Sequence, residues 1–269
     1  MASAQLRSTS AEPRVEAEML LMHVLDVSRS ALLTHPEYCL TTAQLDRYRI
    51  LVTERMSGHP LPYLTGHVEF YGLDMRVTPE VLIPRPETET LVELALAHRP
   101  ASVIDVGTGS GCIAVALAAH LTQVMVHAID ISRPALSLAR LNAEKHGVAD
   151  QIRFEVGNLL GRRPEPVDLI VSNPPYVSGD EWASLPTAIR DHEPRLALDG
   201  GPDGLGVIRR LLSQSEGLLR PCGALLIEIG AEQGDEVRDI ARTTFPQHGT
   251  VIRIHPDLAG QDRVLEVQV

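Results

Sequence analysis

A glycine-rich segment between an apolar run and a helical run does most to limit how this chain can fold. Residues 103–106 read as a buried strand, Gly107, Gly109 and Gly111 follow at once, and residues 113–120 have a helical pattern. Glycine adopts positive φ and lets the backbone pass close to another group, so three in five positions predict a tight turn. The segment therefore predicts a strand–turn–helix unit, which is the building block of a parallel sheet covered by helices.

Further apolar runs extend this pattern towards the end of the chain. Helical stretches, for example 134–146 and 205–219, separate the early runs. Only the loop 256–262 separates the last two, so we expect those two strands to pair as a hairpin with one antiparallel strand. The expected fold class is α/β, with a seven-stranded, mostly parallel Rossmann-like sheet. The strands are predicted near residues 102–106, 124–129, 151–156, 167–172, 223–229, 249–254 and 263–268.

The first quarter of the chain has a different, helical pattern. Apolar residues share one face of a predicted helix around Leu20, and a second set, from Leu45 to Met56, shares a face of another. Thr41 or Thr42 is the expected N-cap of this second helix, and glycine and proline end it before residue 60. Residues 66–77 then alternate around Tyr71-Gly72, which predicts a hairpin. We expect a small helical bundle over residues 1–62, a β-hairpin linker over 63–80 and the α/β domain over 81–269.

The run Asn173-Pro174-Pro175-Tyr176 directly follows the apolar strand at 167–172. An asparagine carbonyl accepts a hydrogen bond from a substrate NH2 group. Pro174 has no N–H, its carbonyl offers a second acceptor, and the two prolines stiffen the backbone. The Tyr176 ring can lie over a flat group. The run therefore predicts a site that grips a planar amide or amine, although an ordinary Asx-Pro turn explains the same residues in isolation.

Other polar features follow neighbouring strands of the predicted sheet. The turn from Gly107 to Gly111 follows the first strand, Asp130 the second and Asn158 the third. Ligands in such sheets bind at the carboxyl ends of the strands, and an acidic residue about 20 positions after a glycine turn is placed to bind ribose hydroxyls. The plainer alternatives are a tight packing turn and, for Asp130, an N-cap of the next helix.

Composition limits the class of protein further. The net charge is −11, with 24 basic against 35 acidic residues, which disfavours tight binding to a nucleic acid duplex. The pairs Arg162-Arg163 and Arg209-Arg210 are local exceptions or simply solvated surface. No apolar run is long enough to span a membrane, and no long apolar leader begins the sequence. The three cysteines are far apart, so we expect a cytoplasmic protein without a metal site or a disulfide framework.

Several longer runs resemble one family, the bacterial peptide chain release factor glutamine methyltransferases, often called the HemK or PrmC family, within the class I S-adenosylmethionine-dependent methyltransferases. The Asn-Pro-Pro-Tyr run is also shared with DNA and RNA amino-methyltransferases, whereas Ile83-Pro84-Arg85-Pro86-Glu87-Thr88-Glu89 is much more specific. The resemblance spans nearly the whole chain. It is carried by residues 63–66, 69–72, 81–89, 105–112, 172–176, 193–205, 227–230 and 257–263.

The resemblance implies methyl transfer from S-adenosylmethionine to the glutamine amide of the Gly-Gly-Gln motif in class 1 release factors, a step that serves translation termination. S-adenosylhomocysteine would be the product, and no metal would be needed. By the same resemblance, Asn173, Pro174, Pro175 and Tyr176 would hold the substrate amide. The helical N-terminal domain carries no cofactor motif, so we expect it to recognise the factor. The cofactor would contact Gly107, Thr108, Gly109, Ser110, Gly111, Asp130, Asn158, Leu159 and Asn173.

One pair departs from the family pattern, and three other functions fit part of the sequence. Asn158-Leu159 stands where the family commonly has an acidic residue and a large aromatic. Asn158 can still accept from the adenine amine, but Leu159 can only cover the adenine ring and cannot stack on it as an aromatic does.

A DNA adenine or RNA guanine amino-methyltransferase would show a basic recognition region, but residues 1–75 hold six arginines against nine acidic residues. An NAD-linked oxidoreductase would need glycine where Cys112 stands. The third alternative is a non-catalytic nucleotide-binding module, and the presence of the glycine turn, Asp130 and Asn173 together disfavours it.

Overall fold

The computed structural model of the protein describes residues 2–35, 37–161 and 165–269. The chain forms two compact units, one of residues 1–67 and 186–192, the other of residues 68–185 and 193–269. No helix within the described ranges is long and apolar enough to cross a membrane. The elements, in chain order, are α1 (Ala2–Gln5), α2 (Pro13–Leu25), α3 (Arg29–Thr34), α4 (Thr42–Met56), α5 (Leu61–Thr65), β1 (His67–Phe70), β2 (Leu73–Arg76), α6 (Thr88–Ala97), β3 (Ser102–Val106), α7 (Cys112–His120), β4 (Met125–Asp130), α8 (Arg133–Lys145), β5 (Ile152–Val156), β6 (Val167–Ser172), α9 (Gly179–Trp182), α10 (Thr187–Arg190), α11 (Gly206–Ser215), β7 (Leu219–Glu228), α12 (Gly234–Thr244), β8 (Val251–Pro256) and β9 (Asp262–Gln268).

The first unit is helical around a small apolar core, as the sequence predicts. Thr41 is the N-cap of α4, and its hydroxyl and the Gln44 side chain each accept from the other residue's backbone N–H, which is a capping box. Of the apolar face predicted for α4, Val52 is buried, whereas Met56, at the end of the helix, is 39% exposed. The buried core consists of Leu6, Ala17, Leu20, Val24, Leu51 and Val52.

The second unit is built on the predicted seven-stranded sheet, in the order β5-β4-β3-β6-β7-β9-β8. Strands β3 to β7 are parallel, and β9 runs antiparallel to both β7 and β8. The sheet and its terminal hairpin confirm the sequence prediction. The boundary between α11 and β7 differs from it: the helix stops at Ser215 because Gly217 adopts φ +77°, and the strand starts at Leu219.

Helices cover both faces of this sheet, and the order in which the chain adds strands reverses at its centre. Strands β4 and β5 lie on one side of β3, whereas β6 and β7 lie on the other. The gap between β3 and β6 at their carboxyl ends is therefore the switch point at which such sheets bind ligands. Two large buried clusters fill the space above and below the strands, one around Leu117 and one around Ile170.

The short two-stranded sheet β1–β2 is the predicted hairpin, with Tyr71 and Gly72 in its turn. Both turn residues have positive φ, 51° and 75°, which is the geometry of the tight turns that match the twist of a hairpin. The Asn142 side chain of α8 binds the N–H of Arg76 at 2.8 Å, its carbonyl at 3.0 Å and the Ser110 carbonyl at 2.8 Å. Asn142 thereby ties the hairpin to the glycine turn.

Candidate functional site

The glycine turn after β3 is held by the end of β4. The Ile129 carbonyl accepts from the N–H groups of Gly107 and Thr108, at 2.8 and 3.0 Å. Gly107, Gly109 and Gly111 have φ of +72°, +55° and +80°, which a residue with a Cβ adopts only with strain. Gly111 also leaves no room, because an added Cβ would lie 2.9 Å from the Ala139 Cβ. The turn therefore depends on glycine both for its backbone conformation and for the packing of α7 against α8.

Asp130 ends β4 and faces the same turn. One oxygen of its carboxylate accepts from the Gly109 N–H at 2.8 Å, and the other accepts from the Ser132 N–H at 2.8 Å. Burial raises the pKa of the Asp130 carboxyl, and the Ser132 and Gly109 N–H groups oppose that shift. The N-cap of α8 is Ser132, whose hydroxyl accepts from Ala135. The cap is thus supplied by Ser132, and the Asp130 carboxylate lies in the wall of the cleft.

A second acid, Asp105, lies under the turn and had no role assigned from the sequence. It is fully buried in β3 and accepts from the Thr108 hydroxyl at 2.6 Å. Burial raises the pKa of Asp105 to about 7, against the lowering effect of the Thr108 hydrogen bond. A carboxyl inside an otherwise apolar strand is the signal that points to such a site.

The Asn173–Tyr176 run leaves the carboxyl end of β6, beside the glycine turn. The Asn173 amide donates through Nδ2 to the Thr88 hydroxyl at 3.1 Å. The Tyr176 hydroxyl donates to Glu228 at 3.3 Å, and burial is the main cause that raises the pKa of Tyr176. Asn173 and Pro175 line the cavity, whereas the part of the chain described by the structure does not bring Pro174 or Tyr176 to its wall. The expected stacking of Tyr176 over a flat group stays a prediction.

Asn158 and Leu159 follow β5 and also line the cavity. Asn158 accepts through Oδ1 from Arg210 at 3.0 Å, so this oxygen is already engaged by one donor. Leu159 has φ +58°, in the left-handed region that is uncommon for a leucine. The sequence predicted the place of this pair but neither the arginine nor the strained backbone.

Of the two basic pairs noted in the sequence, the structure describes Arg209-Arg210, and both of these side chains are engaged by neighbouring residues. Arg209 forms ion pairs with Asp203 and Glu236, and Arg210 binds Asn158. Arg162 and Arg163 lie outside the described residues.

These features meet at one cavity of about 480 Å³ at the switch point, a size typical of sites for small molecules. No cluster of metal-ligating side chains occurs within residues 2–35, 37–161 and 165–269. The predicted residues that line the cavity are Gly107, Thr108, Gly109, Ser110, Asp130, Asn158, Leu159, Asn173 and Pro175, joined by Val81, Leu82, Thr88, Pro194 and Leu196. Gly111 does not itself line it but fixes the turn.

Comparisons with known proteins agree with this geometry. Residues 1–66 match the family profile described as PrmC N-terminal domain, and residues 86–201 match the Methyltransferase small domain. A release factor glutamine methyltransferase of Moorella thermoacetica is 44% identical over 93% of this chain and 89% of its own length. Another, of Koribacter versatilis, is 43% identical over 94% and 90%. The crystal structure of a methyltransferase from Pyrococcus furiosus covers 85% of this chain and 98% of its own, at 16% identity and a TM-score of 0.55, and so shares the fold.

We expect Gly111→Ala to destabilise the protein more than Gly107→Ala. Both residues have positive φ, but an added Cβ meets Ala139 only at position 111 and meets nothing within 4 Å at position 107. The backbone strain alone costs about 1–2 kcal/mol, and the clash adds about 1–3 kcal/mol at Gly111. Urea denaturation of both variants measures the difference. Equal losses would mean that the contact with Ala139 relaxes at no cost.

Proposed function

The chain belongs to the family of release factor glutamine methyltransferases, and on that premise we propose that it methylates the side-chain amide nitrogen of the glutamine in the Gly-Gly-Gln motif of class 1 peptide chain release factors. S-adenosylmethionine is the proposed methyl donor. The observation that carries the proposal is the position of Asn173, an amide acceptor that lines the same cavity as the glycine turn and Asp130.

The residues at the cavity fit S-adenosylmethionine. The glycine turn brings backbone close to the cavity, and Asp130 offers a carboxylate beside it, as a site for ribose hydroxyls requires. Asn158 and Leu159 line the part of the wall proposed for the adenine. When bound, the cofactor supplies a methyl group already activated on a sulfonium, so a covalent enzyme intermediate is not required.

The chain's own residues then have one task, which is to present a weak nucleophile. An amide nitrogen reacts poorly because its lone pair is delocalised into the carbonyl. Asn173 donates through Nδ2 to Thr88, which leaves its carbonyl oxygen to accept from the substrate NH2 group. An acceptor at that NH2 favours the positive charge that develops on nitrogen, and fixed alignment removes much of the entropic cost. The surplus proton leaves the nitrogen once the new carbon–nitrogen bond has formed.

The direct test is methyl transfer from labelled S-adenosylmethionine to purified release factor, ribosomal RNA and DNA in separate reactions. The proposal requires label in the factor, and its loss when the glutamine of the Gly-Gly-Gln motif is replaced by alanine. Label in RNA or DNA with an unlabelled factor would favour the amino-methyltransferases that share the Asn-Pro-Pro-Tyr run.

Asn173→Ala tests the substrate clamp. We expect kcat to fall about 100-fold or more, the usual cost of losing one hydrogen bond to a transition state, with little change in cofactor affinity. Asn158→Ala is the matched control, because it truncates an amide in the same cavity and should weaken cofactor binding more than it lowers kcat. Single-turnover rates and calorimetry separate the two effects. Near-normal turnover by the Asn173 variant would refute its role.

Asp130→Ala tests the cofactor site. Two ribose hydroxyls would lose a charged acceptor, which costs about 1.5–3 kcal/mol of binding free energy. Asp130→Asn keeps an acceptor for the Gly109 N–H and should lose less, and Asp150→Ala removes an exposed acid as a control. Calorimetric titration with S-adenosylmethionine measures all three. Unchanged affinity in Asp130→Ala would mean that the carboxylate only fixes the turn.

The helical residues 1–62 are proposed to recognise the release factor, since they carry no cofactor motif. This part of the chain exposes large apolar side chains, with Ile50 58% exposed and Leu33 and Tyr38 each 56% exposed. Where such side chains form one contiguous patch, they are typical of docking surfaces for proteins.

Ile50→Ser should therefore raise KM for the intact release factor while KM for a short Gly-Gly-Gln peptide stays the same. The peptide reaches the cavity but is too short to use a second surface. Arg49→Ser, at a neighbouring exposed position of α4, is the control. An equal change for peptide and factor would assign the helical unit a purely structural role.

A further inference from the structure

Glu228, the last residue of β7, is a charged group that the reaction above does not use. Its side chain is fully buried, and its Oε1 accepts from the Tyr176 hydroxyl at 3.3 Å. The other oxygen, Oε2, has no hydrogen-bond partner among the described residues. A buried carboxyl with one unsatisfied oxygen costs stability, so its presence directly beneath the Asn173–Tyr176 run calls for a reason.

Thr88 connects Glu228 to the other end of that run. The Thr88 side chain is buried at the start of α6, and its oxygen accepts from Asn173 Nδ2 at 3.1 Å. Its own hydrogen remains to be donated, and the Thr88 hydroxyl is close enough to Glu228 to lower the pKa of that carboxyl. Glu228 is thus adjacent to the partner of Asn173 at one end of the run and bonded to Tyr176 at the other.

We propose that Glu228 is a positioning residue for methyl transfer, whose carboxylate takes the Thr88 hydrogen and so turns the carbonyl oxygen of Asn173 towards the substrate amide. This inference rests on the proposed function, because it concerns the same amide clamp.

The orientation of the Asn173 amide depends on the direction of these hydrogen bonds. A carboxylate only accepts, so a hydrogen bond between Thr88 and Glu228 has Thr88 as its donor, and Thr88 is then left to accept from Asn173, as it does in the structure. Asn173 then presents its oxygen to the cavity. If the group at position 228 donated to Thr88 instead, Thr88 could donate to Asn173, whose amide would turn over. Its NH2 would then face the NH2 of the substrate, and the clamp would repel the group that it has to hold.

Protonation of Glu228 should have the same effect as replacing it. Burial raises the pKa of Glu228 to about 7, and the Thr88 hydroxyl, Arg263 and Tyr176 oppose that shift. Glu87 raises it further, and the buried Cys112 thiol also interacts with Glu228. The carboxylate forms as pH rises through this value, so kcat should rise over the same range. Stability should change in the opposite direction, because a carboxyl with a raised folded-state pKa loses its stabilising contribution as pH rises through that pKa.

The deciding variant is Glu228→Gln, which keeps size and shape but can donate to Thr88. We expect kcat for the intact release factor to fall about 10- to 100-fold, as for other residues that orient a reacting group through a partner. The rise of kcat near pH 7 should disappear, the Kd for S-adenosylmethionine should stay within about two-fold of the wild-type value, and the melting temperature at pH 8 should not fall.

Thr88 variants give an independent measurement that does not depend on the fold of the glutamine variant. Thr88→Val removes the hydroxyl and should lower kcat as much as Glu228→Gln, whereas Thr88→Ser keeps it and should lose much less. The double variant Glu228→Gln/Thr88→Val should be no slower than the slower single variant, because both changes break one chain of hydrogen bonds.

Three results would overturn the inference: wild-type kcat and pH dependence in Glu228→Gln, fully additive losses in the double variant, or a fall in kcat that only follows a fall in melting temperature at every pH. If the wild-type protein methylates the factor and the Glu228→Gln variant does so equally well, this inference is refuted and the proposed function stands. Failure of the wild-type protein to methylate any release factor would refute the proposed function, and the role of Glu228 with it.

Discussion

The end of strand β4 is the constraint on which the rest of the site depends. The Ile129 carbonyl holds the first two N–H groups of the glycine turn, and the next residue, Asp130, holds the N–H of Gly109. The same carboxylate accepts from Ser132, which caps α8, and α8 carries the Asn142 amide that binds the turn from its other side. A strand end, a turn and a helix are thereby fixed by hydrogen bonds to a few polar groups, and the wall of the cavity takes its shape from them.

The features that the sequence predicts well are those with a local cause. Alternating strands and helices, the N-cap at Thr41 and the hairpin turn at Tyr71-Gly72 each follow from the nearby residues, and the structure has them. The general rule that ligands bind at the carboxyl ends of parallel strands brings the predicted polar residues to one edge of the sheet. A boundary that differs from the prediction has a local cause too: α11 ends at Ser215, before the predicted helical stretch does, because Gly217 takes positive φ.

The polar groups behind the site could not be predicted in the same way, since their partners are distant in sequence. Thr88 meets Asn173 across 85 positions, and Asn142 meets Arg76 across 66. Thr88 and Glu228 both lie in runs that resemble the family, but nothing in the sequence assigns either residue a role. A carboxyl in an apolar strand indicates that the group has a hydrogen-bond partner, but only the fold shows which residue that partner is.

Asp105 and Glu228 are two buried carboxyls, and each accepts a hydrogen bond from a hydroxyl of a loop at the cavity. Asp105 lies beneath the glycine turn and accepts from the Thr108 hydroxyl, while Glu228 lies beneath the Asn173–Tyr176 run and accepts from the Tyr176 hydroxyl. Each is fully buried, each keeps one oxygen without a partner among the described residues, and burial raises the pKa of each to about 7. A hydrogen bond to a carboxylate in a medium of low polarity is stronger than one between neutral groups, so it fixes a loop more firmly. The unsatisfied oxygen and the buried charge reduce stability in return, which favours the view that both loops are held rigid for chemistry at the cavity between them.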